Sequence, residues 1–115
     1  MPSMSEKDLL NSLAILEAIE KIEQYSHPHQ SAEQWVNDQK SYDACLMNFV
    51  VIGEMSAKMS SVFLEQHKNI EWNKIKAFRN IIAHDYLGID SKEVWQIVQN
   101  KLPDLKIQLK QITGK

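Results

Sequence analysis

The sequence predicts an all-α protein, an up-down bundle of four or five helices. Three observations carry this expectation. Apolar residues recur every three to four positions through most of the 115 residues, no stretch alternates with the period of two that a strand requires, and hydroxyl or acidic residues stand where helices should begin. Short connections between such helices favour antiparallel neighbours.

Ser5-Glu-Lys-Asp8 has the hydroxyl cap and acidic first turn of a helix start. Leu9, Leu13, Leu16 and Ile19, with Ile15 and Ile22 beside them, extend an amphipathic helix to about Tyr25. Pro28 ends it, because a proline inside a helix removes a donor and clashes with the preceding turn. Ser31-Ala-Glu-Gln34 is a capping-box pattern for a short helix through Trp35 and Val36, and Asp38 caps the next one. From Asp38 to about Gln66 no proline intervenes, and Tyr42, Leu46, Phe49, Ile52, Met55, Met59, Val62 and Phe63 keep a helical period, so the longest helix is expected there. Gly53 lies inside it at a cost of about 1 kcal/mol relative to alanine, which signals a close approach to the backbone, most simply by a neighbouring helix. Trp72, Ile75, Phe78 and Ile82 mark a further helix ending near His84, with Gly88 in the turn that follows. Asp90-Ser-Lys-Glu93 caps a helix bearing Val94, Trp95, Ile97 and Val98, and Pro103 starts or kinks a last one through Leu105, Leu109 and Ile112.

Length fits a single domain spanning 1–115, and 43% hydrophobic with 24% charged residues is the composition of an ordinary soluble globular protein. No apolar run approaches membrane-spanning length. The start, MPSMSEKDLL, lacks the basic and apolar regions of a secretory leader, and the single cysteine, Cys45, cannot form an internal disulfide, so the cytoplasm is the expected compartment. A net charge of −2 argues against general coating of nucleic acid, yet charge is segregated along the chain. Residues 1–65 are acidic overall, whereas 66–84 carry Lys68, Lys74, Lys76 and Arg79 against Glu71, and 101–115 carry four lysines against Asp104. If those two segments lie together a polyanion meets a basic region; the plainer reading makes Lys106, Lys110 and Lys115 a solvated helix face.

The first basic segment ends in RNIIAHDY, Arg79 to Tyr86. At about 100° per residue, Arg79 and His84 stand about 140° apart around a straight helix, while Asn80 aligns with His84, and Arg79 with Tyr86 if the helix reaches that far. Ile82 packs inward between these polar flanks. Spacing alone is equally met by a structural role, since a histidine in the last turn interacts favourably with the helix dipole for roughly 0.3 to 1 kcal/mol. Elsewhere, His27 and His29 lack a third ligand at a recognisable spacing, so no metal site is assigned. Cys45 reads as a buried, inert thiol, and Trp35, Trp72, Trp95, Met55 and Met59 as core or interface residues.

The pattern R-x-x-x-x-H-x-Y filled by Arg79, His84 and Tyr86 resembles the HepT-like toxins of the HEPN superfamily, small helical ribonucleases paired with a nucleotidyltransferase antitoxin. FVVIGEMSAKMS is similar to that family's long helix containing IGE, NIEWNKIKAFRN to its approach to the motif, and YLGID with VWQIV and LPDL to its closing segment. Residues 46–105 carry most of the likeness; HKNIEW departs from it in lacking a proline before Trp72. The resemblance implies metal-independent RNA cleavage by a homodimer with no cofactor. Attack of a 2′-hydroxyl on the adjacent phosphate needs a proton acceptor, a proton donor and a group that holds phosphoryl charge. Histidine suits the proton transfers, which makes His84 the candidate, and Arg79 offers a charged fork to phosphate oxygens. Asn80 and Asp85 are candidates to orient His84, and Glu54 to pair with Arg79 or face the cleft, each against a merely structural role. Tyr86 corresponds to the tyrosine to which the antitoxin attaches AMP. The alternative to a ribonuclease is a non-catalytic module in which the same cluster docks a nucleotidyltransferase or a nucleotide.

Overall fold

The computed structural model describes residues 4–115; Met1 to Ser3, part of the start read for a leader and of the expected 1–115 domain, lie outside it. The regular elements among the described residues are all helical: α1 (Glu6–Ser26), α2 (Ala32–Asn37), α3 (Gln39–Ala57), α4 (Ser61–Gln66), α5 (Trp72–His84), α6 (Ser91–Gln96) and α7 (Leu102–Thr113). A 3-10 turn at Tyr86–Gly88 follows α5, and a π-type turn, Ile97–Lys101, joins α6 to α7. The fold is therefore all-α. Four rods carry the bundle, namely α1, α3, α5 and the α6–α7 pair, while α2 and α4 fill the connections.

The caps lie where the sequence puts them. Ser5 accepts from the Asp8 N–H at 3.1 Å, Ser31 from the Gln34 N–H at 3.1 Å, and Asp90 from the Lys92 N–H at 2.9 Å. Gln34 reaches one residue further back than a capping box requires, accepting from the Gln30 N–H at 2.9 Å. Behind these starts, Ile15, Ile19 and Ile22 of α1 are fully buried and pack with Cys45, Leu46, Phe49 and Ile52 of α3. Each such aliphatic side chain stabilises the fold by about 1.5–3 kcal/mol. Trp35, also fully buried, fixes α2 by standing edge-on to Tyr42, with 5.0 Å between ring centroids, and by packing on Trp95 at 5.4 Å.

The expected helix from Asp38 to Gln66 is in fact two, and α1 at 21 residues is the longest. The chain turns at Lys58–Ser60 because α1 holds it there. Asn11 donates to the Lys58 carbonyl at 3.3 Å, and the buried Asp8 carboxylate accepts from the Ser60 N–H at 2.9 Å and the Ser60 hydroxyl at 2.5 Å. Ser60 in turn caps α4 by accepting from the Phe63 N–H at 3.1 Å. Val62, counted in the core by periodicity, is 64% exposed as a result. Pro103 stands in the first turn of α7, as expected of a proline that starts the last helix, just after the π turn, where the Leu102 N–H donates five residues back to Ile97. A proline lacks the N–H that the preceding turn would otherwise require, and the register change accommodates the loss.

No described helix is long and apolar enough to cross a membrane. Burial opposes the charge of Asp8, but the hydrogen bonds from Ser60 and Ser5 outweigh it and hold its carboxyl below the ordinary carboxylate range. A depressed folded pKa contributes stability that is present above the unfolded value, about 3.9, and is lost as pH falls through the folded one. Urea unfolding at neutral pH should therefore show Asp8→Asn less stable by about 1–3 kcal/mol. The gap between variant and parent should narrow as pH falls below about 4; an equal gap at acid pH would contradict this account of the corner.

Candidate active site

Helix α5 turns Trp72, Ile75, Phe78 and Ile82 toward the core, where Phe78 meets Phe49 of α3 with 5.1 Å between ring centroids. The two helices run antiparallel and come close together at Gly53. A Cβ on that residue would lie 2.3 Å from Arg79 Cβ and 2.7 Å from its Cγ, so the glycine makes room for the stem of the motif arginine itself. Once seated, the Arg79 guanidinium pairs through Nη2 with the Glu54 carboxylate and donates from Nη1 to Asn80 Oδ1 at 2.8 Å. The side chains of Arg79 and Glu54 remain 36% and 37% exposed, so the pair sits at the surface, open to a ligand.

His84 is the last residue of α5 and is exposed. It shares the outward face of the helix with Ala77 and Ile81, the latter 49% exposed, while Leu87 in the next turn is 95% exposed. Asp85 leaves the helix with φ −145°; its N–H donates to the Ile81 carbonyl at 2.8 Å and its own carbonyl accepts from Gly88 at 3.0 Å. The Asp85 carboxylate folds over Gly88, where a Cβ would come within 2.4 Å of Oδ2. With the Asn80 oxygen occupied by Arg79, the orienting contacts to His84 expected of Asn80 and Asp85 are not formed among the described residues.

The end of α5 at His84 also removes the alignment of Tyr86 with Arg79 that a continuing helix would give. Tyr86 instead turns back to the beginning of α3, where its hydroxyl donates to Asp43 Oδ1. Gln39 Nε2 donates to the Tyr86 oxygen at 3.1 Å and to the same Asp43 oxygen at 2.9 Å. The hydrogen bond to Asp43, then partial burial and the charge of that carboxylate, push the Tyr86 phenol above its ordinary value. Asp43 and Glu54 are eleven residues apart on α3, about 16 Å along its axis, so the cation and the hydroxyl of the motif are anchored at separate points. Sequence reasoning missed Asp43 and Gln39. The available signal was that Asp43, Met47, Val50 and Glu54 fall on one stripe of a helix with a carboxylate at each end.

His29 and Cys45 have structural partners. His29 Nε2 lies 3.0 Å from Asp38 Oδ2 at the start of α3. Cys45 is fully buried, its thiol donating to the Ile22 carbonyl at 3.6 Å, and burial pushes that thiol up to about 12, which removes the reactive thiolate at neutral pH. The two basic segments do meet, across a groove of about 370 Å³ between α5 and α7 that is walled by Phe49, Ile52, Ile75, Phe78 and Leu105. Glu71 lies between its lysines, 2.7 Å from Lys74 and 3.8 Å from Lys101, and Lys106 is half-buried against Glu23 at 2.7 Å rather than freely solvated. Neither Arg79 nor His84 lines this groove.

Residues 15–112 match the family model described as ribonuclease HepT-like. A probable ribonuclease HepT from Thermococcus cleftensis is 32% identical over 102 residues, covering 89% of this chain and 90% of the relative. A protein from Caldanaerobacter subterraneus subsp. tengcongensis that carries an RNase name is 28% identical over 85 residues, covering 74% of this chain and 76% of its own. No solved structure matches. With a family match over most of its length and a relative aligned nearly end to end, the chain belongs to the ribonuclease HepT-like family.

Proposed function

We propose that the chain is the toxin of a toxin–antitoxin pair, a metal-independent endoribonuclease that acts as a homodimer and is silenced when a nucleotidyltransferase antitoxin transfers AMP to Tyr86. The observation that carries this reading is the placement of the Arg-His-Tyr motif. In a chain of a ribonuclease family, Arg79 is seated by a glycine on the neighbouring helix and presents its fork at the surface. His84 stands at the exposed end of the same helix.

The chemistry is a transesterification. The 2′-oxygen bonds to phosphorus while the bond to the 5′-oxygen breaks, leaving a 2′,3′-cyclic phosphate and a 5′-hydroxyl. His84 handles the protons, taking that of the nucleophile or supplying that of the leaving oxygen. Arg79 holds the phosphoryl oxygens, whose charge grows in the transition state. In the free chain its fork is shared by Glu54 and Asn80, so an incoming phosphate exchanges with a carboxylate already there, and Glu54 sets the position of the cation before substrate arrives.

Two features favour a dimer. Arg79 faces α3 whereas His84 faces outward, so one phosphate is reached more readily by groups from two copies. Around His84, Ile81 and Leu87 are apolar and exposed, the kind of surface a second chain covers.

Two measurements check this reading. Unmodified protein should cut RNA in the presence of EDTA and leave 2′,3′-cyclic phosphate ends, and His84→Ala should slow cutting by about 10²–10⁴-fold with an unchanged melting curve. Undiminished cutting by that variant would remove His84 from the mechanism, and tight binding of the nucleotidyltransferase without any cleavage would favour a docking module instead. Gly53→Ala should also reduce cutting, because the added methyl displaces Arg79, and should cost about 1–3 kcal/mol despite alanine's better helix propensity. A stabilised and fully active Gly53→Ala chain would contradict the close approach.

A further inference from the structure

Of the three tyrosines in the chain, Tyr42 is buried, Tyr25 is half-buried and Tyr86 is 42% exposed. Exposure alone does not make a phenol a nucleophile, since a neutral hydroxyl must lose its proton as it attacks. The contacts at Tyr86 supply what that step needs. Its proton is donated to Asp43 Oδ1, and one oxygen lone pair accepts from Gln39 Nε2 at 3.1 Å. A phenolic oxygen has two lone pairs, so one remains free and is not directed at either partner. Gln39 also donates to Asp43 at 2.9 Å, which keeps the carboxylate turned toward the hydroxyl. All three residues are exposed, at the junction of the start of α3 with the turn after α5. An enzyme bringing a nucleotide to Tyr86 therefore meets a hydroxyl already oriented, with its proton acceptor in place.

We propose that Asp43, held by Gln39, is the proton acceptor for nucleotidyl transfer to Tyr86. This rests on the reading of Tyr86 as the modified residue. In the step, the Tyr86 oxygen bonds to the α-phosphorus of a nucleoside triphosphate and the bond from that phosphorus to the bridging oxygen breaks. Pyrophosphate leaves with its electron pair, and the phenolic proton passes to Asp43 and then to water. At rest the carboxylate favours the neutral phenol; as the oxygen bonds to phosphorus it becomes far more acidic, and the same contact carries its proton away. The acceptor thus belongs to the chain being modified, and the nucleotidyltransferase supplies the nucleotide.

The test uses the full chain with its nucleotidyltransferase partner, ATP and magnesium, followed by intact mass and by peptide mass spectrometry at Tyr86. The parent chain should gain AMP at Tyr86, and Tyr86→Phe should gain none there. Asp43→Asn should slow the gain roughly 10²-fold through kcat, with KM for ATP unchanged, and Asp43→Glu should restore most of the rate. Modification of Asp43→Asn at the parental rate would overturn the role of Asp43 and leave Tyr86 as the modified residue. An unmodified parent chain would overturn the reading of Tyr86 and the inference with it. A slow Asp43→Asn chain that no longer binds the partner would assign the residue to docking, and overturn its role in proton transfer. Retained binding with a lowered kcat supports that role.

Discussion

The arrangement of the motif depends on one close contact, the seating of Arg79 against the bare backbone of Gly53. Helix axes normally stand 8–10 Å apart, and the nearer end of that range requires small residues at the crossing. Removing a single Cβ from α3 lets the arginine stem lie on the helix surface, so its guanidinium emerges beside Glu54 instead of being pushed outward. The same contact sets the register of α5 along α3, and from it follow the pairing of Phe78 with Phe49 and the arrival of Tyr86 at Asp43. Gly53 serves helix packing and motif geometry together.

Much of the fold was legible because its signals are local. A cap at Ser5, Ser31, Asp38 or Asp90 involves residues within one turn, and the apolar rows of α1 and α5 follow from the helical period. The break after Ala57 was not legible. Ser60 becomes a helix start because Asp8, 52 residues earlier, accepts its N–H and hydroxyl, and nothing in FVVIGEMSAKMSSVF separates that outcome from a continuous helix. The candidate site divides in the same way. Arg79, His84 and Tyr86 lie in one short pattern, and Gly53 announced that something came near. Asp43 and Gln39 sit some forty residues before their partner in an ordinary polar stretch of helix, and the topology alone brings them to Tyr86. Angular reasoning along α5 was sound as far as His84 and failed at Asp85, where the backbone leaves the helix.

Charge is distributed differently in space than along the chain. The basic runs in the second half come together at the α5–α7 groove, but Glu71 stands between the lysines there, and Lys106 spends its charge on Glu23. The groove is consequently mixed in sign. Arg79 differs from these lysines in what it can do. Its planar fork carries two directed contacts at once, to Glu54 and to Asn80, and so holds a fixed orientation that a solvated ammonium does not.

Helix α3 also acts as a ruler for the motif. Glu54 and Asp43 mark two points about 16 Å apart, while an uninterrupted helix from Arg79 to Tyr86 would advance about 10.5 Å. The helix ends at His84, so the chain beyond it and the long arginine and tyrosine side chains cover the difference. Two fixed marks on one rod define a length, so the number of residues between the arginine and the tyrosine is not free to drift. One residue more or fewer between them would keep one attachment and lose the other.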